Sequence, residues 1–239
     1  IMTKRFIASV LFIMFIFSIG VLASPVEYGS ELKSMPNQGY NITFSDLGSD
    51  HWSYKYVSEM VARKVISGYP DGQFRPDRLV SRAEIAKIIV SAAGLQAKKV
   101  NYSTFSDVKV TDWYSPFIET AKDYLMGYKA ANGEYIYDPD APALREDIII
   151  AIVKIKGYDI RLADRSIIEA MFTDYEGISE GAKDYVALAV ENGLASGYSD
   201  ETFRAQSPIS RAESAALLWR AFQYGNDNKT TTNNQQSSS

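Results

Sequence analysis

The chain has 239 residues, 46% of them hydrophobic and 23% charged, a balance suited to one or two packed domains. Its formal net charge of −4 gives no electrostatic basis for a nucleic-acid partner. The lack of cysteine excludes disulfide scaffolds, thiolate metal sites and cysteine nucleophiles, and the single histidine, His51, gives no basis for a histidine-built metal centre or a serine–histidine triad. No catalytic residue, metal or cofactor is therefore assigned.

The N-terminal segment opens with Lys4 and Arg5, followed by the uncharged stretch "FIASVLFIMFIFSIGVLA" at 6–23. A basic start, an apolar run and the small residues Val21 and Ala23 before Ser24 read as a secretory signal peptide over 1–23. The competing reading is an uncleaved anchor, since the run approaches the roughly 20 residues that span a bilayer. Once the segment is cleaved, no stable membrane span is expected. Residues 24–43 follow as a linker.

From Phe44 onward the chain repeats itself three times. "FSDLGSDHW" begins at Phe44, "FSDVKVTDW" at Phe105 and "FTDYEG" at Phe172. Each start leads through an amphipathic segment to Gly-Tyr: Gly68-Tyr69, Gly127-Tyr128 and Gly197-Tyr198. An aromatic follows (Phe74, Tyr137, Phe203), and eight residues later an arginine (Arg82, Arg145, Arg211). The spacing sets three units at 44–94, 105–157 and 172–222.

Each unit reads as helix, loop, helix. In the first, Tyr56, Val57, Met60, Val61 and Val65 mark one face of a helix over 53–65. Pro70-Asp71-Gly72 makes a turn, and Ser81 with Glu84 forms a capping box that starts a second helix from Arg82 to about Ala93. The third unit predicts helices over 182–192 and 211–222. The second has a longer middle, in which Asn132-Gly133 marks an extra turn or a small hairpin tip. Two such helices cannot bury a core alone, so the three units are expected to pack as one all-α domain. The runs "IIIAIV" (148–153) and "AALLW" (215–219) place the second helices at its centre. The polar residues 223–239 cannot bury enough surface to order and read as a disordered tail.

The series "FSDLGSDHW…GYPDGQFRPDRLVSRAE" resembles the surface-layer homology (SLH) repeat, and the resemblance covers about residues 44–222. It implies three helix-loop-helix repeats arranged as a pseudo-threefold spindle, with binding grooves between neighbouring units. It also implies a secreted protein at the cell surface, held without covalent bonds to the cell wall. The implied partner is a secondary cell-wall polysaccharide, associated with peptidoglycan and often carrying pyruvate ketals on N-acetylmannosamine. Surface-layer subunits are a further possible partner.

The candidate ligand-binding residues follow from that resemblance and from their chemistry. Arg82, Arg145 and Arg211 stand in the first turn of a helix, where a cation is unfavourable unless an anion is bound nearby. A ketal carboxylate suits a guanidinium. The alternative is an ion pair with an internal carboxylate such as Asp46. Trp52 and Trp113 offer stacking platforms or cap the core. Gly68, Gly127 and Gly197 admit close backbone approach or end a helix. Tyr69, Tyr128 and Tyr198 offer hydroxyls to a sugar or pack inward. Asp46, Asp107 and Asp174 cap the first helices or bond sugar hydroxyls. The units are unequal. Leu144 and Asp147 replace the capping serine and glutamate in the second, and the third has Glu180 or a neighbour where a tryptophan is expected. A wall hydrolase is the remote alternative, but Asp138 and Asp140 sit in a turn rather than flanking a cleft.

Overall fold

The computed structural model describes residues 43–227, with side chains to 222. The signal-peptide reading (1–23), nearly all of the linker (24–43) and residues 228–239 lie outside the described residues. Among those described, no helix is long and apolar enough to cross a membrane.

The first unit forms α1 (Tyr54–Ala62) and α2 (Arg82–Ala92). The second forms α3 (Ser115–Ala121), the two-residue strands β1 (Tyr128–Lys129) and β2 (Tyr135–Ile136), and α4 (Arg145–Lys156). After α5 (Arg165–Met171), the third forms α6 (Lys183–Glu191) and α7 (Arg211–Asp227). The Asn132-Gly133 signal is a hairpin tip: Tyr128 pairs with Ile136 and Lys129 with Tyr135, and Gly133 takes φ 84°. The α5 segment lacks the repeat pattern and was not anticipated. Its Arg165 grips Asp184 of α6 and pairs with Glu180. Helix α7 runs to Asp227, past the boundary at 222 set by composition.

The second helices form the centre, as their composition requires. Ile148, Ile149, Ile152 and Val153 of α4 and Ala215–Leu218 of α7 are wholly buried. What joins the units is a ring of backbone hydrogen bonds among the extended residues that precede α2, α4 and α7. The Val80 N–H donates to Ile209 O at 3.0 Å, Ile209 to Ala143 at 3.0 Å and Ala143 to Val80 at 2.8 Å. Each unit thus bonds both others, and the ring closes with a pseudo-threefold sense.

Helix starts are satisfied in two ways. At α2, Ser81 and Glu84 make the predicted capping box, and Ser210 and Glu213 make the same reciprocal bonds at α7. The next orphan donors are taken by the neighbouring unit. The N–H groups of Arg82 and Ala83 donate to Ala141 and Pro139, those of Arg145 and Glu146 to Ser207 and Ala205, and those of Arg211 and Ala212 to Arg78 and Pro76. These helix N–H groups are thus not left open to a bound anion: protein carbonyls occupy them.

Candidate functional site: the junctions between units

The three arginines do the same thing in rotation. Arg82 reaches from the first unit into the second, donating to Tyr137 O at 2.8 Å and Met126 O at 2.8 Å. Arg145 reaches from the second into the third, donating to Ser196 O at 2.7 Å. Arg211 reaches from the third back into the first, donating to Phe74 O at 2.9 Å and Ser67 O at 2.6 Å. Each guanidinium also lies over an aromatic ring of the loop it enters: Tyr137 at 4.7 Å, Phe203 at 5.0 Å and Phe74 at 4.5 Å. All three are buried, with exposures of 9%, 1% and 6%. Burial pulls the Arg211 guanidinium below its ordinary value, with Tyr69 and Glu84 opposing.

Arg82 does not meet Asp46, the partner first considered. It pairs with Asp147 of α4 at 3.0 Å. Burial pushes the Asp147 carboxyl up, and the Arg82 charge opposes the rise. Asp46 instead holds its own loop, accepting the Phe74 and Arg75 N–H groups at 2.7 Å each. Asp107 does the same for Tyr137 and Asp138, and Asp174 for Phe203 and Arg204. The second residue of each pair has positive φ, so the carboxylate fixes a disfavoured backbone turn. The aspartates therefore sit in the loops rather than at the starts of α1, α3 and α6.

The three glycines lie against the opening phenylalanines of their units. A Cβ on Gly68 would stand 2.2 Å from Phe44, on Gly127 2.4 Å from Phe105 and on Gly197 2.4 Å from Phe172. Close packing, rather than a helix end, demands glycine there.

The tyrosines differ. Tyr69 accepts a bond from Arg78 at 2.8 Å, with Arg75 and Arg211 near its ring at 4.3 and 4.8 Å. Tyr198 donates to Glu213 at 2.6 Å, and Tyr128 donates to Asp138 at 2.8 Å. The tryptophans diverge as well. Trp52 is half-buried and packs on the core beside Tyr56. Trp113 is 55% exposed, with the Lys87 ammonium 5.9 Å from its ring centroid.

A cleft of about 420 Å³ gathers several of these residues where the three units meet. The first unit supplies Ser67, Gly68 and Tyr69 with Glu84 and Lys87 of α2; the second supplies Trp113 and the third Arg211. Lys64 and Val65 border it at the end of α1. Of the expected residues, Gly68, Tyr69, Trp113 and Arg211 line this cleft, while the other ten lie elsewhere. Lys64 and Lys87 were missed because neither recurs in the other units. Their departure from the repeat was the available signal. A wide groove with an exposed indole, tyrosine and cations suits a polar, anionic ligand with flat apolar faces, such as an acidic sugar.

The closed three-unit ring and the groove between its units define a repeat-built all-α domain. The family profile described as the S-layer homology domain matches residues 43–86 and 172–215. The chain belongs to the S-layer homology domain proteins. The middle unit, outside the matched segments, repeats the aspartate contacts through Asp107 and sends Arg145 to the Ser196 carbonyl of the next unit. An exoglucanase from Acetivibrio thermocellus is 29% identical over 78% of the chain and 17% of its own length. A cellulosome-anchoring protein from the same organism is 32% identical over 67% of the chain and 36% of its own length. An S-layer protein of Bacillus thuringiensis subsp. finitimus is 23% identical over 74% of the chain and 21% of its length. The chain thus spans about a third or less of each of these relatives.

Proposed function

We propose that this chain anchors an exported protein to the bacterial cell wall by binding a wall polysaccharide, pyruvylated for preference, in a groove between its units. The observation that carries the reading is the cleft at the unit junction, where exposed Trp113 faces Lys87 beside Gly68, Tyr69 and Arg211. An indole face packs on the C–H face of a pyranose, and the cations complement a ketal carboxylate. The relatives favour a portable module. Similar segments occur in proteins named as an exoglucanase, a cellulosome-anchoring protein and an S-layer protein, and most of each relative lies beyond the match. Anchoring is a role that such different proteins can share. No catalytic role is proposed, because the conspicuous acid pairs are engaged in loops and capping boxes.

The test is sedimentation of the purified chain with wall sacculi, before and after mild acid removal of pyruvate. Cosedimentation that falls when the ketal is removed supports the reading. A chain that stays in the supernatant with intact walls overturns it. A second role, assembly with surface-layer subunits, is favoured by the S-layer relative and would appear as self-association without wall material.

A further inference from the structure

The loop of each unit carries the same small turn at its tip. Asp71 Oδ1 accepts the Gln73 N–H at 3.1 Å, Asn132 Oδ1 the Glu134 N–H at 3.1 Å and Asp200 Oδ1 the Thr202 N–H at 3.2 Å. The two aspartates also pair with the arginine that follows the loop's aromatic: Arg75 at 2.6 Å and Arg204 at 2.7 Å. In the middle unit that place belongs to Asp138, after Tyr137. A carboxylate at 132 would have no arginine there. An amide stands at the tip instead, followed by Gly133.

Asn-Gly is a chemically labile pair, because glycine puts no side chain in the way when its backbone nitrogen attacks the preceding side-chain amide. The chain holds two such pairs, Asn132-Gly133 and Asn192-Gly193. Sequence makes them equal; the fold separates them. Asn132 lies at the hairpin tip, with residues 131–135 all exposed. The Glu134 N–H on its Oδ1 is placed to stabilise the oxyanion that forms when the amide carbon is attacked. Freeing the Gly133 N–H breaks its 2.9 Å bond to Ala130 O and disturbs only that exposed tip. Asn192 caps the end of α6, and its Nδ2, the nitrogen that would leave, donates to Leu188 O at 2.8 Å. Turning Gly193 toward it breaks the Gly193 N–H bond to Val190 O at 3.0 Å. It also pulls on Leu194 and Ala195, which are buried and both bonded to Ala189 O.

We propose that Asn132 is a self-modification site, converted in the folded protein to aspartate and isoaspartate without an enzyme, while Asn192 is protected. Hydroxide takes the Gly133 amide proton, and the nitrogen attacks Asn132 Cγ. The Cγ–Nδ2 bond breaks, Nδ2 takes a proton from water, and ammonia departs to leave a cyclic succinimide. Water then opens the ring at Cγ to give aspartate, or at the backbone carbonyl carbon of residue 132 to give isoaspartate. The sum is water in and ammonia out, with no change of oxidation state. Each event adds a negative charge to a loop that already carries Glu134, Asp138 and Asp140. The aspartate product gives the middle tip the residue type of Asp71 and Asp200 without their arginine. Isoaspartate lengthens the backbone inside the Ala130–Glu134 hydrogen bond and loosens the tip, while the ring through Val80, Ala143 and Ile209 stays closed. None of these tip residues lines the Trp113 cleft, so the site stands apart from the wall-glycan reading.

The experiment is incubation of the folded full chain in mildly alkaline buffer, followed by trypsin digestion and mass spectrometry of peptides 130–145 and 184–204 against an unincubated sample. Both acidic isomers are expected at 132, accumulating roughly tenfold or more faster than at 192. In urea, where neither turn nor helix end persists, the two rates should converge. Asn132→Ser keeps an oxygen acceptor at the tip and should remove the main acidic species that builds up on ion exchange of the intact chain. The inference is overturned if Asn192 reacts as fast as Asn132 in the folded chain or if the folded chain shows no conversion at 132. Aspartate forming there without isoaspartate overturns it as well, since that product ratio means direct hydrolysis rather than attack by Gly133.

Discussion

At the scale of single residues, the arginine that begins each second helix looks misplaced until its destination is known. A cation in the first turn opposes the helix dipole. The compensation is non-local: Arg211 satisfies the carbonyls of Phe74 and Ser67 in a unit some 140 residues away along the chain, with sequence separations of 137 and 144. Arg211→Ala leaves both carbonyls without that donor, so a loss of about 2–4 kcal/mol is expected by urea denaturation. Gly127→Ala is expected to destabilise by roughly 2 kcal/mol or more, since its Cβ would stand 2.3 Å from the Ile136 carbonyl oxygen. Lys64→Gly should act in the opposite direction, raising stability by roughly 0.5–1 kcal/mol as backbone strain is relieved. Thermal melts of the three variants check the signs together.

At the scale of elements, helix ends and linkers carry the local chemistry. Ser81→Ala removes the cap of α2 and should cost about 1 kcal/mol, readable as a shift in the denaturation midpoint. The linker before the second unit is tied down by Glu119 of α3, which accepts bonds from the Thr104 N–H at 2.6 Å and from Lys122 at 3.0 Å. Burial pushes the Glu119 carboxyl up, but these bonds outweigh it and hold the group below the usual glutamate range. A carboxyl depressed in the folded state stabilises above its unfolded value and loses that contribution as pH falls through its folded value. Stability should therefore drop below about pH 4.5, and Glu119→Gln should flatten that acid limb in pH-resolved urea titrations. The α2 capping box was legible in sequence because a cap is a contact over three residues. Helix α5 was not, because its reason for being helical is partly its Arg165 contact with Asp184, nineteen residues away.

At the scale of the whole molecule, the ring through Val80, Ala143 and Ile209 makes each unit depend on both others. Truncation after residue 171 removes the partners of Val80 and Ala143 and exposes the flanks of α2 and α4. Such a chain is expected to lose cooperative unfolding, whereas residues 43–227 should unfold in a single transition by both circular dichroism and fluorescence. Two separated transitions in the intact chain would show that the units are independent instead.

The sequence by itself determined the number of units, their helical content, the caps and the central position of the second helices. Those features rest on local periodicity and on recurrence of the same residues, both of which can be counted along one dimension. It also marked the arginines, tyrosines and tryptophans as unusual. Only the tertiary structure decided their roles. It sent Arg82, Arg145 and Arg211 into neighbouring loops, put Asp46 on its own loop rather than on Arg82, buried half of Trp52 while exposing Trp113, and brought Lys64, Lys87 and Arg211 to one cleft. The reason is physical: a buried guanidinium or an open groove depends on which surfaces meet when three units close into a ring, and no single unit contains that information.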